Sequence, residues 1–97
     1  MDAIKQLEDW FQSQCDEDWE HQNGIKIETT DNPGWSIEIS LADTQLDSKN
    51  FSEIDIERNE RDWIHCEVLN KYFVGHGGTR NLAEIIGIFT AWAIEST

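Results

Sequence analysis

Bases are scarce in this sequence. Seven Lys and Arg stand against 20 Asp and Glu, which gives a formal net charge of −13 and a pI near 4.3. Nucleic-acid phosphate is held by basic surfaces, so direct nucleic-acid binding is not expected. Anionic membrane surfaces repel such a chain for the same reason. Cysteine is scarcer still, with only Cys15 and Cys66. Two cysteines make no disulfide framework, and a reducing compartment keeps them as thiols. No apolar run approaches the ~18 residues of a membrane span. Residues 1–10 hold Asp2, Glu8 and Asp9 and no continuous apolar stretch, so they do not read as a secretory signal. These absences point to the cytoplasm and to a basic protein as the favoured partner.

What is present suffices for one domain over residues 1–97. Hydrophobic residues make up 38% and aromatics 10%, five of them Trp, which is not the composition of a disordered chain. A domain of this length buries roughly 60–70% of its unfolded surface, enough for one modest core.

The apolar spacing then sets the elements. Ile4, Leu7 and Phe11, extended by Trp10, predict an amphipathic helix over 3–14 with Cys15 at its end. Residues 15–24 are charged and without period, and read as a loop. Alternation predicts strands over 25–30 and 35–41. Between them, 30–34 form a turn in which Pro33 presets φ and Gly34 allows a positive φ. A polar connection over 42–50 leads to a third strand over 51–58, where the Phe51-to-Ile54 spacing suggests a bulge. Asn59-Glu60 turn into a fourth strand over 62–69. There Ile64, Cys66 and Val68 share one face, and Trp63, His65 and Glu67 the other. Asn70-Lys71 turn into a short fifth strand over 72–74. Gly75-His76-Gly77-Gly78 break the pattern, and Asn81 or Thr79 caps a helix that runs to about Ile94. The expected fold is α+β: a helix, four or five antiparallel strands and a helix, with both helices on one face of the sheet.

The densest cluster of functional side chains is Cys15-Asp16-Glu17-Asp18-Trp19-Glu20-His21. Three readings of it compete. It is a solvated loop with Trp19 anchored in the core, an acidic protein-binding patch, or a divalent-metal loop. The series lacks the length, the glycine and the distal Glu of a calcium-binding hand. Charge position favours the patch: residues 1–48 hold 12 acids and 2 bases, and residues 49–97 hold 8 acids and 5 bases. Such a field speeds association with a cationic partner. Glu28 and Asp31 extend the patch. Trp63, opposite the apolar face of its strand, supplies an aromatic anchor if exposed, as does Trp19.

Other chemistry is weaker. The 75–78 glycines precede a helix but lack the spacing and the Lys-Ser/Thr of a phosphate loop. His21, His65 and His76 show no metal-ligand spacing to one another. A thiol enzyme, sulfurtransferase-like, is the runner-up from another class. It needs a depressed thiol pKa, whereas Cys15 is followed by three acids and Cys66 sits on an apolar strand face.

Taken together these motifs resemble the immunity protein 53 family of bacterial polymorphic-toxin systems. The resemblance is carried by Leu7-Glu8-Asp9-Trp10, Gln14-Cys15-Asp16-Glu17-Asp18-Trp19-Glu20-His21 and Gly24-Ile25-Lys26-Ile27-Glu28-Thr29. It continues through Asp31-Asn32-Pro33-Gly34-Trp35, Asp62-Trp63-Ile64 and Gly75-His76-Gly77-Gly78 before Asn81-Leu82. The family pattern usually has Gly where this chain has Glu17, and often Pro where it has Thr79. The resemblance implies a cytoplasmic, non-enzymatic antidote that binds a cognate toxin domain, without cofactor or catalytic residues. Many toxins of such systems are nucleases with basic clefts, which would suit an acidic antidote.

Overall fold

A computed structural model describes residues 2–95. Three helices, α1 (Ala3–Gln14), α2 (Trp19–Gln22) and α3 (Leu82–Ile94), accompany five strands. These are β1 (Ile25–Thr30), β2 (Gly34–Ser40), β3 (Ile54–Asn59), β4 (Asp62–Leu69) and β5 (Tyr72–Gly77). The sheet is antiparallel throughout, in the order β1-β2-β5-β4-β3. The fold is α+β, as the patterning predicts.

Alternation divides the sheet into two unlike faces. Ile37, Ile39, Ile64, Cys66 and Phe73 lie on one, fully buried in a core shared with Leu7, Ile85, Ile86 and Phe89. Both long helices cover this face: α1 packs against α3, and α3 against β5. Aromatic edges knit the layer, with Trp10 on Phe89 at 4.9 Å and Phe73 on Phe89 at 5.1 Å between ring centroids. The edge strands run beyond the helices, which leaves Ile27 and Ile56 exposed.

Glycines set how closely the helix approaches. A Cβ on Gly75 would sit 2.5 Å from Ile85 Cγ2 and 2.9 Å from Ile37 Cγ2, and one on Gly77 would sit 2.9 Å from Ile85 Cδ1. The break expected from the sequence at position 75 is therefore absent, because the strand runs on through it. Strand β5 continues to Gly77, because its helix-facing positions must be bare for α3 to dock. Gly34 is a second correction. No described glycine has a positive φ; Gly34 opens β2, where a Cβ would meet the Gly77 carbonyl oxygen at 2.2 Å. The chain turns instead through Asp31, Asn32 and Pro33, with a cis Asn32–Pro33 bond.

Strand β3 starts at Ile54, later than expected. Phe51 lies ahead of it and packs on Phe73 and Trp92 at 5.4 and 5.2 Å. The register irregularity falls between Glu57 and Asn59, at the other end of the strand. Asn70 and Lys71 both have positive φ, 50° and 68°, as a two-residue turn between twisted antiparallel strands requires. Asn81 occupies the N-cap position of α3, yet its side chain makes no cap bond. Its Nδ2 donates to Asp62 (2.9 Å) and Glu84 (3.1 Å), while Arg58 reaches the same two carboxylates at 2.7 and 2.6 Å. This cluster ties the β3–β4 hairpin to the start of α3.

Candidate partner-binding surface

Among the described residues, no helix covers the second face of the sheet. Its residues follow from the register. One row runs Glu28, Ser36, His76, His65, Asp55 across all five strands. The next runs Lys26, Glu38, Val74, Glu67. Tyr72 and Leu69 pair at one end, 43% and 50% exposed. Trp63, half-buried, lies at the other end beside Asn32, Pro33, Glu60, Arg61 and Thr79 in a cleft of about 500 Å³. Apolar and aromatic groups thus sit among carboxylates.

The charge on this face is one-sided. Glu28, Glu38, Glu67, Asp55 and Glu57 share it, and Glu53 adjoins it. Its one lysine, Lys26, lies 3.5 Å from Glu28. His65 Nε2 lies 2.7 Å from Glu53 Oε2 and 3.9 Å from Glu67 Oε2. The hydrogen bond to Glu53, with the charges of Glu67 and Asp55 nearby, raises the His65 pKa above its ordinary value. The face therefore favours positive charge, supplied by a proton here and by any cationic group that docks.

The residues expected to bind a partner fall into three groups. Glu28 and Trp63 lie on this face, and Asp31 stands exposed in the turn beside the Trp63 cleft. His21 lines a depression with Lys26, Glu38 and Tyr72 at the opposite end. The 16–20 segment is largely committed to its own folding. Asp16 Oδ1 accepts from the backbone N–H groups of Asp18 (3.0 Å) and Trp19 (2.8 Å). Glu20 accepts from those of Asp16 (3.0 Å) and Glu17 (2.9 Å). These bonds organise the short helix α2 where a loop was expected, and they hold the Asp16 carboxyl below its usual range. Glu17 and Asp18 stay exposed at the periphery.

Trp19 needs correction as a surface anchor. It is 5% exposed, its indole donates to the Ala42 carbonyl at 2.8 Å, and Trp10 and Phe11 contact it edge-on. A large apolar ring next to the end of an amphipathic helix is worth more in the core than in solvent. The bare face also carries Glu38, Asp55, Glu57, Tyr72 and Leu69, which the sequence alone does not single out. Strand alternation assigns each to a side, but only the strand order joins them into one surface.

Both thiols are held toward the neutral form. Burial pushes Cys66 up to about 12. Cys15 is also raised, by desolvation and by the Glu20 and Asp16 carboxylates, and its thiol donates to the Phe11 carbonyl at 3.3 Å. No helix among the described residues is long and apolar enough to cross a membrane.

The fold is thus α+β, with one sheet face covered by helices and the other bare and rich in carboxylates. The chain belongs to the immunity protein 53 family, whose sequence pattern matches residues 4–94, nearly its whole length. No curated protein and no solved structure matches it significantly.

Proposed function

We propose that this protein neutralises a cognate polymorphic-toxin domain by binding it directly through the bare sheet face. The observation that carries the reading is the arrangement of that face, with Trp63, Tyr72 and Leu69 set among carboxylates that outnumber the bases. Family membership supports a toxin partner. The charge supports a basic one, such as the cleft of a nuclease. Rigid aromatic groups supply the desolvated anchor, and acids around them set orientation and association rate. Glu28 and Trp63 lie within the surface. His21, Asp31, Glu17 and Asp18 lie at its rim. Asp16, Glu20 and Trp19 contribute by holding the 16–22 segment in place.

Calorimetry against the toxic domain encoded beside this gene tests the proposal, at low and at physiological salt. The informative variant is Glu28→Gln, Glu38→Gln, Glu57→Gln, because none of the three supports the backbone. It should bind at least tenfold more weakly, with a shallower salt dependence. Native affinity and native salt dependence in that variant would move the interface elsewhere on the molecule. Absence of binding by the unaltered protein would sink the toxin reading for that partner.

A further inference from the structure

We propose that Glu53, His65 and Glu67 form a binding site for one divalent cation of the zinc class. Their ligand atoms all lie within 4.8 Å of one another, and among the described residues no other group of three such side chains does so. His65 and Glu67 alternate on β4 and therefore share the bare face. Glu53 immediately precedes β3 and reaches them from outside the ladder.

The distances suit a small tetrahedral ion. Zinc–nitrogen and zinc–oxygen bonds of about 2.0–2.1 Å place neighbouring ligands roughly 3.3–3.4 Å apart. Here His65 Nε2 stands 2.7 Å from Glu53 Oε2 and 3.9 Å from Glu67 Oε2. One separation must open and the other close, each by about half an ångström. The Glu53 side chain is 59% exposed and can make that adjustment by rotation. His65 is paired with Asp55 and His76 on the two flanking strands and Glu67 with Val74 on β5, so two of the three ligands are already positioned.

The donor set selects the cation. One imidazole nitrogen with two carboxylates is a borderline set that suits zinc and its transition-metal neighbours. Calcium and magnesium prefer all-oxygen shells with more ligands. Two carboxylates cancel the charge of the ion. Asp55 and His76 stand directly opposite His65 on the two flanking strands, so a fourth ligand is within one residue pair. The acidic 16–21 loop is a poorer candidate, since Asp16 and Glu20 already accept backbone hydrogen bonds. The inference does not depend on the toxin reading.

The test uses metal alone, with no partner protein. Titration calorimetry with zinc chloride in a non-chelating buffer should show one equivalent bound at micromolar affinity. Zinc should also raise the melting temperature. His65→Ala and Glu67→Gln should each weaken binding at least tenfold and abolish the thermal shift, while His21→Ala binds as the unaltered protein does. Both substitutions are at partly exposed positions, and circular dichroism confirms that the variants fold. A tenfold loss in His76→Ala would name the fourth ligand. No single-site zinc binding, or binding that survives His65→Ala, would overturn the proposal. Calcium bound as tightly as zinc would overturn the assigned cation class.

Discussion

Glu17 has φ of 75°, a left-handed backbone conformation that costs a residue with a Cβ roughly 1–2 kcal/mol. The strain is local, because the amides of Asp16 and Glu17 converge on the Glu20 carboxylate and leave the chain little choice. Glycine adopts this conformation freely, and glycine is the usual residue of the resembled family pattern at this position. Glu17→Gly should therefore stabilise the protein. The gain is reduced by the larger entropy that glycine brings to the unfolded chain, about 0.5–1 kcal/mol. The net is about 0.5–1 kcal/mol, or roughly 2–8 °C in melting temperature for a chain of this length. Glu17→Ala should show no such gain, because its Cβ keeps the strain. A thermal melt of the two variants beside the parent separates relief of strain from simple loss of the side chain.

Two glycines illustrate opposite roles within their elements. Gly75 in β5 faces α3, and any Cβ there would press on Ile85 and Ile37, both fully buried. Gly75→Ala should cost about 2–3 kcal/mol, as overpacking of a dense core does. Gly87 sits in the middle of α3 with open space where its Cβ would go. Gly87→Ala should gain about 0.5–1 kcal/mol through helix propensity. Urea unfolding of both variants checks the pair, and a harmless Gly75→Ala would mean that α3 can retreat from the sheet. The same positions explain where the elements were legible in the sequence. Strands β1, β2 and β4 announce themselves by alternation, and α1 and α3 by their apolar stripes. The end of β5 did not, because a glycine needed for close packing has the same letter as one that ends a strand. The short helix α2 was invisible for a different reason. Side-chain bonds from Asp16 and Glu20 build it, and such bonds leave no apolar period.

At the scale of the molecule, the acidic balance was plain in the sequence but its location was not. The 16–21 run drew attention because its charges are consecutive. Glu28, Glu38, Asp55, Glu57 and Glu67 are scattered over 40 positions, and only the order β1-β2-β5-β4-β3 gathers them. That concentration has a consequence for stability. The ion pairs at Lys5, Lys26, Arg58, His65 and Lys71 involve largely or partly exposed side chains, and exposed pairs contribute little. A net charge of −13 within a radius of gyration of 13.2 Å leaves repulsion as the dominant long-range term. The screening length falls from about 30 Å at 0.01 M salt to about 8 Å at 0.15 M. In the first condition every carboxylate acts on every other; in the second only neighbours do. Sodium chloride over this range should therefore raise the melting temperature by a few degrees while it weakens binding to a basic partner. A melting temperature that falls with salt would mean that the local pairs outweigh the repulsion, and the bare face would then lose its claim to be the electrostatic driver of association.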